Sequence, residues 1–280
     1  MAPRAHDWAL AYVRYPNDLN TTQPSPSGVA TPAVGFFQMP ISSRFSAYAS
    51  LEGLAASVID ARLSRQLHKP MIASLQSDLI SYHEQFLRQQ NAYQPDYLGV
   101  SILWHLSFMS LFADFDLLER AIGRDGASLD EDDAHLIAAW AASVEAKRCV
   151  VHGLLIQKEL EKLSLGAEPA IHVPRAMFLA AICWYCYSRY GTDDGTSGGL
   201  GHGSLDFPEV RMLGANPTLL LFEANGYKLG RPTAIEANGP LCGLTDLLQR
   251  IGHWEIARKF AAILGALIHN EADQKGYQKG

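Results

Sequence analysis

Apolar residues recurring three and four apart constrain this chain more than any other feature. From Leu51 onward they fall in stripes at the spacing of one helix face, while runs alternating apolar with polar residues, as half-buried strands do, are almost absent. The strongest stripe is Val100, Leu103, Trp104, Phe108, Leu111, Phe112, Phe115 and Leu118. It predicts one helix ending in Glu119 to Gly126, where Gly123 or Gly126 supplies a left-handed stop and Arg120 and Arg124 suit the negative helix end. Ser128 and Glu131, at S-x-x-E spacing, predict a capping box for the next helix, with Asp130, Asp132 and Asp133 at its positive end. Ile137, Trp140, Ala141, Val144, Val151, Leu154 and Leu155 carry that helix toward Leu163. A length of about thirty residues exceeds the globular norm, which predicts a kink or break around Cys149.

Pro174 fits the first turn of a further helix, where its missing N–H costs nothing, and Met177, Phe178, Ala181, Ile182 and Tyr185 give that helix a buried face. Leu219 to Phe222 is ambiguous between helix and strand. Two stripes close the pattern: Leu244, Leu247, Leu248 and Ile251, stopped by Gly252, then Ile256, Phe260, Ile263, Leu264 and Leu267. No self-similarity at about 20–50 residues marks a solenoid. The expected fold class is all-α, an irregular multi-helix bundle.

Residues 1–44 read differently. Pro16, Pro24, Pro26, Pro32 and Pro40 stand among Asn, Thr, Ser and Gly, a composition that sustains neither a helix nor a central strand, so a disordered lead-in is expected there. The helical domain is expected over 45–270 and a polar tail over 271–280. Gly191 to Gly203 carries six glycines and reads as a mobile loop. With 280 residues, 48% of them hydrophobic and 19% charged, the chain is long enough for a large core. Its formal charge of −6 opposes a chain whose main work is wrapping a phosphate backbone. Four cysteines are too few for a secreted disulfide scaffold, and neither a signal peptide nor a membrane span is apparent, so the composition reads as intracellular and soluble.

Candidate chemistry is sparse. Cys183 and Cys186 form a C-x-x-C, but inside an apolar helical stretch rather than after a strand, which disfavours redox or zinc chemistry. Cys149 and His152 are spaced as two ligands on one helix; with no second pair they read as a core cysteine and a helix-surface histidine. His83-Glu84 lacks the second histidine of a zincin, since Leu87 stands there. Gly199, Gly201 and Gly203 lack the strand and helix that a dinucleotide loop needs, and no Walker or G-x-S-x-G sequence occurs. Asp114 and Asp116 point to different helix faces and read as a solvated edge rather than an acid–base pair. Arg62, Arg65, His68 and Lys69 form a basic cluster that reads first as a wetted face and, in its functional sense, as a contact for an acidic partner. No catalytic, cofactor-binding or metal-ligating residue is assigned.

Four segments resemble the regulatory, or middle homology, domain of fungus-specific transcription factors, especially those with two-Cys two-His fingers. They are Leu103 to Arg124; Trp140 to His152; His172 to Phe178 with Trp184 and Tyr185; and Leu244 to Leu264 as a closing helix pair. The resemblance spans roughly residues 45–270 and rests on helix packing rather than catalytic signatures. It implies a nuclear transcription regulator, with the cytoplasm as the alternative compartment, controlling a metabolic or secondary-metabolite gene cluster. Its partner would be a DNA-binding factor or a second copy, and a small-molecule effector fits the same role. Family members carry an N-terminal zinc module, whereas residues 1–100 here contain no cysteine, so no zinc or DNA contact carries over. The chain is then a regulator working through a partner or a piece of a longer one. The alternative is a small-molecule enzyme or binding protein with an aromatic pocket and His105, His152 or His202 as proton donor.

Overall fold

The computed structural model describes residues 44–88, 95–124, 126, 129–163, 168–191, 205–227, 238–251 and 254–276. The expected lead-in, the body of the glycine loop with His202, and Ser128 and Gly252 lie outside them. Among the described residues there are eleven α-helices and no strand, an all-α multi-helix fold. They are α1 (Arg44–Leu63), α2 (Lys69–Tyr82), α3 (Pro95–Phe112), α4 (Phe115–Ala121), α5 (Glu131–Ala141), α6 (Val144–Leu160), α7 (Val173–Tyr190), α8 (Pro208–Met212), α9 (Pro217–Ala224), α10 (Asn238–Arg250) and α11 (Glu255–Gly276). A π-turn, His83–Leu87, continues α2 directly. The ambiguous stretch around Leu219 is helical. The last helix runs past the expected start of the tail at 271, where Glu271 to Lys275 contains no helix breaker.

Three boundaries differ from the sequence expectation, and each has a local cause. The long stripe is two helices: α3 stops at Phe112 and α4 leaves at a bend of 82°. Asp114 makes the break. Its backbone is extended, and its carboxylate accepts the amides of Asp116 and Leu117, so the solvated edge expected there also caps a helix. Carbonyls left open at the end of α3 are taken by side chains: Arg62 donates to Ser110 O and Trp140 Nε1 to Phe112 O, while Cys149 adds to Met109 O, which already accepts Ala113 N. The cap of α5 is Asp130, which accepts from Asp133 N, so Glu131 is the first helical residue rather than the reciprocal member of a Ser128 box. The next break falls at Ser143, which caps α6, and α6 then passes Cys149 unbroken to Leu160.

Two apolar clusters share α3 as their wall. Leu51, Leu54 and Val58 of α1, Leu75 and Leu79 of α2, and Leu103, Trp104 and Phe108 of α3 form the smaller one. The opposite side of α3, through Ile102 and Met109, joins the larger cluster around α6, α7, α10 and α11. Thirteen of the eighteen residues of α7 are buried, which makes it the central helix. Each fully buried Leu or Phe contributes about 1.5–3 kcal/mol through its area removed from water. Close approach of α6 to α7 depends on Gly153, where an added Cβ would lie 3.2 Å from Ala180 Cβ. Among the described residues no single helix is long and apolar enough to cross a membrane.

Candidate functional site: a sealed histidine pair beneath a surface groove

Helices α3 and α6 run antiparallel, and their register places polar groups of one against polar groups of the other. Ser101, His105 and Phe112 follow one another along α3; Glu159, His152 and Arg148 answer them in reverse order along α6. Ser101 Oγ donates to Glu159 Oε1 at 2.9 Å, His105 Nδ1 meets His152 Nδ1 at 2.8 Å, and the Arg148 guanidinium lies 4.3 Å over the Phe112 ring. Glu209, on α8, completes the row. It accepts from Arg148 Nε and Nη2 at 2.5 Å each and lies 3.4 Å from His152 Nε2.

Glu209 and His152 are fully buried, and His105 is nearly so. Burial opposes ionisation of Glu209, but hydrogen bonds from His152 and Arg148 outweigh it and hold the carboxyl at about 2. That carboxylate only accepts, so the proton of neutral His152 lies on Nε2. Its bare Nδ1 then accepts from His105 Nδ1–H, and His105 Nε2 faces Glu159 Oε1 at 3.8 Å. Burial pushes His152 down to about 4, in keeping with a neutral ring. Phe108 stacks on that ring at 4.9 Å and 9°. On the far side Trp104 packs against His83, whose pKa burial also lowers to about 4 and whose Nδ1 has no hydrogen-bond partner.

His152 is therefore not on a helix surface, as its spacing from Cys149 had implied; α3 and α8 cover it and satisfy both its nitrogens. Cys149 goes elsewhere, to Met109 O, so the two do not converge. Among the described residues no three His, Cys, Asp or Glu side chains gather as metal ligands do. Cys183 and Cys186 are buried on α7, and burial raises both thiols, which suppresses the thiolate that redox or metal chemistry uses. Asp116 pairs with Arg120 and Arg124. Glu119, fully buried, takes Arg175 and Arg124 and ties α4 to α7. Arg148, Glu159 and Glu209 were not singled out in the sequence, and His83 only as half of a zincin motif. The available signal was a histidine inside each of two apolar stripes, which demands a buried partner.

Arg148 connects this row to the surface. It lines an open groove of about 520 Å³ between the end of α1, the start of α2, the end of α3 and the start of α6. Leu67, Ile72, Leu111 and Phe112 make its apolar floor. The expected basic cluster divides here: Arg62 and Lys69 line the groove, His68 caps α2 by accepting from Met71 N, and Arg65 turns the chain after α1 with a φ of 54°. Arg62 is half-buried rather than part of a wetted face. Its pKa is lowered by burial, and it donates to a carbonyl rather than to a carboxylate.

Compared with known proteins, the chain matches no family model, no curated protein and no solved structure.

Proposed function

We propose that the chain is a regulatory helical domain that controls transcription through contacts with other proteins, in the nucleus, as the resemblance of its helix patterns to fungal regulators implies. The observation that carries this reading is the division of its polar groups. His105, His152 and three of the four cysteines are enclosed in the core, where the two histidines join helices, while Cys242 is exposed on α10. The surface opening that Arg148 lines is a groove with an apolar floor and cationic wall, a shape for recognition rather than for enclosing a reacting molecule. A formal charge of −6 gives the chain little counterion release to draw on, so the proposed partner is protein rather than nucleic acid.

Deletion of the gene followed by transcript profiling tests this function. The expected result is altered expression of a discrete set of genes, restored by the intact chain. Unchanged transcripts throughout, with metabolite turnover by the purified protein, would overturn it.

A further inference from the structure

Of the three cations lining the groove, Arg148 is already matched by Glu209. Arg62 and Lys69 are not: among the described residues neither lies within ion-pair distance of a carboxylate, and Asp114 acts on Arg62 only at longer range. A guanidinium taken partly out of water without a counter-ion is unfavourable, and an incoming anion relieves it. Lys69, Ile72, Ala73 and Gln76 line the groove from successive turns of α2, so its positive end adds to the cationic wall. The apolar floor lies beside these cations, and the exposed acid Glu145 marks the groove's other charged edge.

Building on the function proposed above, we propose that this groove binds an acidic amphipathic segment of a partner protein, with an Asp or Glu carboxylate on Arg62 and Lys69 and a neighbouring bulky apolar side chain on Leu67, Ile72 and Phe112. An open groove shared by four helices exposes too much of a small molecule to hold it well, whereas a peptide is held by successive side chains. Disordered segments that alternate acidic with hydrophobic residues have this chemistry.

The test is fluorescence anisotropy of the full chain with a labelled peptide Asp-Asp-Leu-Asp-Asp-Phe-Asp-Leu, its all-Asn counterpart, and a counterpart with Leu and Phe changed to Ala. The acidic amphipathic peptide is expected to bind, weakening with salt, and both counterparts to bind at least tenfold more weakly. R62Q/K69Q should weaken it at least tenfold, while R65Q, which removes one positive charge outside the groove as K69Q does inside it, leaves it unaltered. Far-UV circular dichroism checks folding, and K69Q, at an exposed position, decides by the same criterion if the double variant is unfolded. Equal binding by R62Q/K69Q, equal loss in R65Q, no binding of the acidic peptide, or binding to the groove of free phenylacetate as tight as the peptide's would each overturn the proposal. Complementation separates it from the function it rests on. If R62Q/K69Q restores the transcripts of the deletion as fully as the intact chain does, the groove assignment fails and the regulatory function stands.

Discussion

Glu209→Gln is the perturbation that the buried row predicts most sharply. Glutamine keeps the shape and one acceptor oxygen, so His152 Nε2–H retains a partner, but it places an NH₂ where Arg148 Nη2 now donates to Oε2 at 2.5 Å. Two donors then face each other, and a guanidinium only 12% exposed loses its counter-charge. Removing one partner of a buried pair costs about 3–5 kcal/mol; because Arg148 lines the groove and can regain water there, the low end applies, about 3 kcal/mol. The carboxyl's own titration gives a similar figure. It is held at about 2 against an ordinary 4.5, which converts to roughly 3 kcal/mol at about 1.4 kcal/mol per unit. Because the folded value is the lower one, this contribution is complete above pH 4.5 and is lost as pH falls toward 2. Urea unfolding followed by helical circular dichroism should show the variant about 3 kcal/mol less stable at pH 7, with a melting temperature about 6–12 °C lower. The gap should narrow below pH 4.5. Arg148→Met/Glu209→Gln, which removes both charges and keeps an acceptor for His152 Nε2–H, should recover much of the loss. A Glu209→Gln variant within about 0.5 kcal/mol of wild type at pH 7, inside the range of an ordinary surface change, would refute the reasoning.

His83 and His152 are held at about 4 by burial against an ordinary 6.5, so the folded state binds fewer protons than the unfolded chain. Wild-type stability should fall by several kcal/mol as pH drops from 6.5 to 4, and His152→Leu, less stable at pH 7, should show a shallower decline in pH-resolved denaturant titrations. Gly153→Val should destabilise the chain by about 2–3 kcal/mol in the same assay, because its branched side chain drives α6 from Ala180. Arg65→Gly should raise stability by about 0.5–1 kcal/mol, since glycine takes the left-handed turn after α1 without the strain that a Cβ imposes.

Legibility tracked how many sides of a helix are buried. Helices α10 and α11 each bury one stripe, so Leu244, Leu247 and Leu248, and Phe260, Ile263 and Leu264, fall where periodicity puts them. Helix α3 is buried on two sides, and Ala113 at its break is buried as well, so no lapse in the apolar pattern announces the 82° turn at Asp114. The histidine pair was illegible for a different reason. His105 and His152 stand 47 residues apart and Glu209 a further 57, and only the antiparallel register of α3 and α6 and the docking of α8 bring them together. The basic cluster was visible as a cluster, but its division was not. That Arg62 and Lys69 enter the groove while His68 and Arg65 shape the turn depends on where α1 ends and α2 begins.

Transcription from a reporter carrying sites for an unrelated DNA-binding module, to which this chain is fused, tests the central claim most directly. The fused chain should shift reporter output several-fold from that of the module alone, and the R62Q/K69Q fusion, accumulating to the same level, should lose that shift. Reporter output unchanged by a stable, nuclear fusion would contradict a regulatory domain that works by protein contact.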